Sequence, residues 1–141
     1  MQKTYSFSAV FLVFLFGLFA AACQHGAQDP SDGLVLPESA IQHLVVVWLK
    51  ESGNEEARQK VIEATYGFEQ IPGVLSVSVG PPKLSGREVV DDSFDVALVI
   101  TFADEEAYNE YLPHPLHRQA VEEVIRPLVD RFVVYDFHPA R

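Results

Sequence analysis

The sequence predicts an α+β domain in which helices cover one face of a single antiparallel sheet. Four segments rich in β-branched and large apolar residues are typical of strands, and they span residues 41–49, 74–80, 93–103 and 131–137. Apolar residues at helical spacing lie between the first and second strands and between the third and fourth. The order β-α-β-β-α-β is that of the ferredoxin-like plan.

The segment between the first two strands has a clear helical pattern. Ser52 precedes Glu55 by three residues, which predicts a capping box. Apolar residues follow at helical spacing (Ala57, Val61, Ala64 and Phe68), and Pro72-Gly73 ends the segment. The sequence therefore predicts one amphipathic helix that packs on the sheet.

The second helical region is divided by prolines. Asp104 is expected to cap a short helix that has acidic residues in its first turn. Pro113 and Pro115 interrupt it, and Pro115 suits the first position of a further helix that runs to about Ile125.

Both faces of the central strands are apolar, which predicts an assembly. In the first strand Val45 and Val47 alternate with Val46 and Trp48, and the third strand alternates in the same way. Helices cover only one face of such a sheet, so the second apolar face needs a partner. We expect a homodimer in which two sheets pack against each other.

The first 22 residues are predicted to be a signal peptide. They contain one early cation, Lys3, and an apolar run from Ala9 to Ala22. A single transmembrane anchor is the alternative, but small residues lead directly into the chain's one cysteine, Cys23. Residues 24–33 are polar and contain Gly, Pro and Ser, so residues 23–40 are predicted to be a flexible tether.

Ala20-Ala21-Ala22-Cys23 resembles the bacterial lipobox, with Ala in place of the usual Leu at its first position. Lipidation of Cys23 would attach the protein to a membrane, and Gln24 favours the outer membrane because it is not the aspartate that retains lipoproteins at the inner one. Ordinary secretion to the periplasm, with a free thiol, is the alternative. Either outcome predicts an exported protein of the cell envelope.

The charge balance excludes one class of partner. The formal net charge is −10, and removal of Lys3 with the signal peptide makes it more negative. An acidic surface of this kind repels phosphate backbones, so no nucleic-acid partner is expected.

Histidines and a tyrosine are the candidates for chemistry. Helical spacing places His117 on an apolar stripe with Val121, Val124 and Leu128, so its imidazole should point toward the sheet. An imidazole accepts protons near neutral pH and a phenol donates to a developing oxyanion, so His117 and Tyr111 are a candidate acid/base pair. A structural role is the alternative, in which His117 hydrogen-bonds buried carbonyl groups and stabilises the helix that the prolines interrupt. A metal site made of His43, His114 and His117 lacks a well-placed carboxylate, so no metal is predicted.

Three stretches, residues 41–50, 71–80 and 93–137, together resemble the stress-responsive dimeric α/β-barrel domain family. The most specific match is the Tyr-x-x-His-Pro-x-His run, carried here by Tyr111, His114, Pro115 and His117, and His43 on the first strand is a second marker. The resemblance covers residues 41–138, the predicted domain. It implies a dimer whose sheets close into a barrel and a cleft in each subunit between sheet and helices.

The resemblance also implies candidate site residues. One family member, the plant enzyme olivetolic acid cyclase, has a catalytic His, a partner Tyr and a pocket His that correspond to His117, Tyr111 and His43. Its pocket aromatics fall near Lys60, Val61 and Ala64, and a second pocket His falls at Val96, so the same substrate is not implied. The expected lining residues of the cleft are apolar: Val45, Val47, Val61, Leu98, Ile100 and Val121.

Two functions from different classes follow. The first is a domain that binds a small apolar or aromatic molecule in a stress-related role. The second is a cofactor-independent cyclase, isomerase or monooxygenase that uses His117 and Tyr111, with His43 assisting. A dimer with a purely structural role is a third possibility. No cofactor is expected, because no phosphate loop or zinc motif occurs in the sequence.

Overall fold

The computed structural model describes residues 36–140, and the predicted signal peptide, Cys23 and most of the tether lie outside this range. The strands are β1 (Ile41–Leu49), β2 (Val74–Gly80), β3 (Val96–Phe102) and β4 (Val129–Phe137). The helices are α1 (Glu55–Tyr66), α2 (Glu105–Tyr111), α3 (Pro115–Ala120) and α4 (Arg126–Leu128). All strand pairs are antiparallel and the order is β2-β3-β1-β4, which confirms the ferredoxin-like plan.

The register of the sheet separates two faces. Val45 pairs with Leu98 on one side and Val134 on the other, and these residues lie on the face that carries the helices. Val46 pairs with Ala97 and Val133 on the opposite face, which we call the outer face. The alternation seen in the sequence therefore becomes two distinct surfaces.

The core lies between the helices and the helix-bearing face. One cluster contains Phe68, Ile100, Phe102 and Tyr111, and a second contains Val47, Val61 and Val96. Val45, Val79 and Ile125 pack against both clusters. Most of the stabilisation comes from this burial, because each fully buried large apolar side chain contributes about 1.5–3 kcal/mol.

Helix α1 begins differently from the capping-box prediction. Asn54 is the N-cap, and its side chain accepts a hydrogen bond from the Ala57 N–H at 2.9 Å. The Ser52 hydroxyl instead donates to Asp95, so the predicted Ser52–Glu55 box is wrong. The helix ends at Tyr66, and Phe68 lies in the 3₁₀ turn that follows.

The caps of the second helical region agree with the sequence. Asp104 caps α2 by accepting from the Ala107 N–H, and Pro115 is the first residue of α3. The turn before β2 also packs on α2: Gly73 has φ +83°, and a Cβ there would overlap the side chain of Ala107.

Residues Val121–Ile125 form a π-helical turn between α3 and α4, in which the Arg126 N–H donates to the Val121 carbonyl. The wider turn changes the side of the helix on which the following side chains lie. Ile125 faces the space between helix and sheet, whereas Val124 lines a groove beside Ala64 of α1. The predicted stripe is therefore wrong at Val124.

The outer face is apolar and no described residue covers it. Tyr135 is 56% exposed and Phe137 is 45% exposed. Arg131 pairs with Trp48 across the strands, and its guanidinium carbon lies 3.4 Å from the centre of the Trp48 ring. This face has the composition of a surface that is buried in an assembly.

The residues just before β1 are already part of the domain. Ala40 is fully buried, and the Ser39 hydroxyl donates to the Ala103 carbonyl at 2.8 Å. The C-terminal end of the predicted tether is thus packed against the end of β3. Within residues 36–140, no helix is long and apolar enough to cross a membrane.

Candidate functional site

A cavity of about 420 Å³ lies between the helix-bearing face of the sheet and the segment from α2 to α4. This volume falls in the range of about 300–1,000 Å³ that is usual for small-molecule sites. Its walls are mainly apolar, with five polar residues among them. The lining consists of His43, Val45, Val47, Val61, Phe68, Leu98, Tyr111, Leu112, His117, Val121, Ile125, Arg126, Val129, Asp130, Phe132 and Val134.

The structure brings the sequence-predicted residues together with one exception. His43, Tyr111 and His117 all line the cavity, as do Val45, Val47, Val61, Leu98 and Val121. Ile100 does not: it is fully buried in the core, where it pairs with His43 on β1 and Val77 on β2. The predicted lining residues of β3 lie on the helix-bearing face, but the strand pattern could not show that the cavity ends before Ile100.

His117 is held in one orientation by the backbone. Its Nδ1 lies 3.0 Å from the Leu112 carbonyl oxygen, and because a carbonyl only accepts, Nδ1 carries the proton. Nε2 is then the free acceptor of the neutral ring. Burial lowers the pKa of His117; the Leu112 hydrogen bond opposes this effect, and His43 and His114 add to the lowering. The ring is therefore a neutral base at neutral pH.

Tyr111 contacts His117 directly, with ring centres 4.3 Å apart. Tyr111 is only 1% exposed, yet its hydroxyl makes no hydrogen bond within residues 36–140. The hydroxyl oxygen keeps a small solvent-accessible surface. Because Tyr111 lines the cavity, this surface faces the cavity. Burial, with a smaller effect of Tyr108, raises the pKa of Tyr111 far above its ordinary value, so the phenol keeps its proton and is a donor.

His43 is oriented by a carboxylate. Its Nδ1 lies 2.6 Å from Asp136 Oδ1, and the Tyr108 hydroxyl donates to Asp136 Oδ2 at 3.0 Å. The carboxylate only accepts, so His43 Nδ1 carries a proton and Nε2 is directed elsewhere. Burial and the Asp136 hydrogen bond raise the pKa of Tyr108, which keeps it protonated as a donor.

Sequence reasoning missed Asp136 and Tyr108. Asp136 pairs with His43 across β1 and β4, 93 residues apart in the chain. The available signal was an acid within the otherwise apolar end of the last strand, on the same parity as Val134. The partner of that acid could not be identified before the strand order was known.

His114, one of the three residues considered for a metal site, lies at the start of a helix. His114 is the N-cap of α3, and its Nδ1 accepts from the Leu116 N–H at 3.3 Å. Its side chain thus serves the helix end and does not line the cavity. In the part of the chain that the structure describes, no three His, Cys, Asp or Glu side chains are close enough to hold a metal ion.

One antiparallel sheet with a helical face, and a cavity between the two that displays histidine and tyrosine, defines a ferredoxin-like α+β domain with a small-molecule-sized site. Residues 41–139 match the family model of the stress-responsive A/B barrel domain, abbreviated Dabb. The chain belongs to this family.

Solved structures show the same fold. A Dabb family protein from Mesorhizobium loti is 25% identical with a TM-score of 0.59, and the match covers 72% of this chain and 98% of that one. A dimeric ferredoxin-like protein of unknown function from Thermobifida fusca is 21% identical, with a TM-score of 0.61 and coverage of 76% and 97%. The described domain therefore corresponds to nearly the whole of each of these folded proteins.

An enzyme has the same fold as well. Hydroxynitrile lyase from Passiflora edulis is 18% identical with a TM-score of 0.64, and the match covers 74% of this chain and 96% of the enzyme. At this identity the likeness shows the fold alone. No curated protein sequence gives a significant match.

Proposed function

We propose that this domain binds a small, largely apolar molecule carrying a carbonyl or similar acceptor group in the cavity described above. The observation that carries the proposal is the Tyr111 hydroxyl, which belongs to a buried residue and has no hydrogen-bond partner within residues 36–140. A ligand that displaces water from this hydroxyl must supply an acceptor of its own, because a buried polar group without a partner costs about 1–3 kcal/mol. An acceptor on a ligand would satisfy this donor, while the apolar walls hold the rest of the molecule.

The working form is a homodimer joined through the outer faces of two sheets. The support is the exposed apolar surface of β4 and β1, and the dimeric state of the Thermobifida fusca neighbour. Because the family is described as stress-responsive, we also propose a stress-related role.

Native mass spectrometry of residues 34–141 tests both statements. We expect the mass of two chains plus a bound molecule of discrete mass, which gentle collisional activation removes. A monomer would contradict the sheet-to-sheet dimer. A dimer that carries no molecule, even after incubation with apolar carbonyl compounds, would contradict the binding proposal.

A second candidate function, proton transfer on the bound molecule, is favoured by the pairing of a neutral base with a protonated phenol. His117 Nε2 would take a proton from a carbon next to the ligand's carbonyl and become imidazolium. Tyr111 would donate a hydrogen bond to the oxygen on which negative charge then develops. The Leu112 carbonyl would stabilise the imidazolium through Nδ1–H, and no cofactor is needed for these steps.

The titration of His117 tests this candidate. Its folded pKa is lowered, so the unfolded chain, with a pKa of about 6.5, binds the proton more readily. We expect the Cε1–H resonance of His117, assigned with His117→Gln, to titrate below pH 6.5. Above that pH the ring is neutral in both states and does not reduce the free energy of unfolding. As the pH falls toward the folded pKa, the unfolded chain binds the proton first and the free energy of unfolding decreases. Titration above pH 7 would leave the ring protonated and contradict its role as a base.

Export and lipid anchoring through Cys23 complete the proposal, and they rest on the signal-like residues 1–22 and the Ala20–Cys23 pattern. In a Gram-negative host, the wild-type chain should incorporate labelled palmitate and sediment with membranes. Cys23→Ser should lose both properties. An unlabelled wild-type chain in the soluble periplasmic fraction would favour ordinary secretion, and an unlabelled, membrane-bound Cys23→Ser chain would favour a transmembrane anchor.

A further inference from the structure

The cavity has two chemically different ends. His43, Tyr111 and His117 lie at one end, and Arg126 and Asp130 line the other. Along the helical wall nine residues separate His117 from Arg126, which is about 13 Å at 1.5 Å per residue. Along β1 the four residues from His43 to Val47 also span about 13 Å. Both walls of the cavity therefore have about the same length, and the space between them is elongated.

The sheet confirms which residues share each end. Asp136 pairs with His43, whereas Phe132 pairs with Val47. Phe132 lines the cavity and is 60% exposed, so the end nearest α4 opens to solvent. The charged residues Arg126 and Asp130 are thus at this mouth, and the acid/base residues are at the end away from it.

Among residues 36–140, Arg126 is the one Lys or Arg residue that lines the cavity. Its position is fixed through its backbone: the Lys50 ammonium donates to the carbonyl oxygens of Arg126 and Pro127 at 3.2 and 2.7 Å. Its guanidinium forms no ion pair with any carboxylate within residues 36–140, although Asp130 also lines the mouth. A guanidinium in this setting can accept a carboxylate or a similar head group.

We infer that the ligand is an elongated apolar monoanion, with its head group on Arg126 and its acceptor group on Tyr111. This inference rests on the proposed function of the cavity and adds the class of molecule. The walls between the two ends are apolar, including Val45, Val47 and Val134. Asp130 repels negative charge at the mouth, so one charge suits the site better than the two of a phosphate monoester.

Matched probes test the inference. Isothermal titration calorimetry of residues 34–141 would compare decanoate with decan-1-ol, which share a chain of suitable length and differ in charge. The wild type should bind decanoate about tenfold more tightly. Arg126→Gln should remove that preference and leave decan-1-ol binding within about twofold, Arg126→Lys should keep part of the preference, and Asp130→Asn should increase it.

The outcomes separate the two proposals. Equal binding of both probes by the wild type, or unchanged decanoate binding by Arg126→Gln, would overturn the anion inference and leave the apolar cavity as a binding site. Failure of the wild type to bind either probe would overturn the elongated ligand, whereas the proposed function, whose acceptor group for Tyr111 neither probe carries, is contradicted by the dimer without a bound molecule described above.

Discussion

Asp95→Ala is expected to destabilise the domain by about 2–5 kcal/mol, because the Asp95 carboxylate satisfies several donors at once. It is 2% exposed and accepts from the Leu49 N–H at 2.9 Å, from the Gly53 N–H at 2.7 Å and from the Ser52 hydroxyl at 3.2 Å. These bonds join the end of β1 to the turn before α1. Alanine would leave the Leu49 N–H buried without a partner.

Urea unfolding measures this effect, and Asp91→Ala is the matched control. Asp91 is exposed and its hydrogen bonding is local, to Ser93 two residues away, so its removal should leave the unfolding midpoint unchanged. An Asp95→Ala midpoint equal to that of the wild type would show that the carboxylate does not tie β1 to α1.

The same carboxylate predicts a pH dependence. Burial alone would raise the pKa of Asp95, but the hydrogen bonds from Gly53, Leu49 and Ser52, with the nearby Arg58, lower it below its usual value. Its contribution to stability is therefore complete above the unfolded pKa of about 3.9 and is lost as the pH falls through the folded pKa. Asp95→Asn should remove this part of the acid dependence.

The strands and their order along the chain were predictable because periodicity is a local property. Alternation in residues 41–49 and 96–102 also separated two apolar faces, and the structure shows that the one with Val45 and Leu98 carries the helices. At the start of α1 the predicted Ser52–Glu55 box is replaced by an Asn54 cap, and the Ser52 hydroxyl donates to Asp95, which is 43 residues away in the chain. Local patterns do not contain such distant partners.

The site was predictable only in part for the same reason. His117 and Tyr111 are six residues apart, so helical geometry and the family resemblance were enough to place them together. The Tyr108–Asp136–His43 arrangement depends on the pairing of the first and last strands. The π turn at Val121–Ile125 had no signal in the sequence, and it decides that Ile125 lines the cavity and Val124 does not.

Val121→Trp is expected to abolish binding in the cavity without unfolding the domain. Val121 lines the cavity opposite the sheet and is only partly buried, so a larger side chain can extend into empty space. The indole would occupy the volume that a ligand needs, beside His117 and Phe68. Val89→Trp is the matched control, because Val89 is 81% exposed and lies outside the cavity lining.

The most direct test of a functional cavity is the affinity of N-phenyl-1-naphthylamine, an uncharged dye that fluoresces in apolar surroundings, for these three proteins. Wild type and Val89→Trp should bind it with the same dissociation constant. Val121→Trp should bind it at least about tenfold more weakly at an unchanged unfolding midpoint. Equal affinity in all three folded proteins would place the dye elsewhere on the protein and contradict a cavity that holds small apolar molecules.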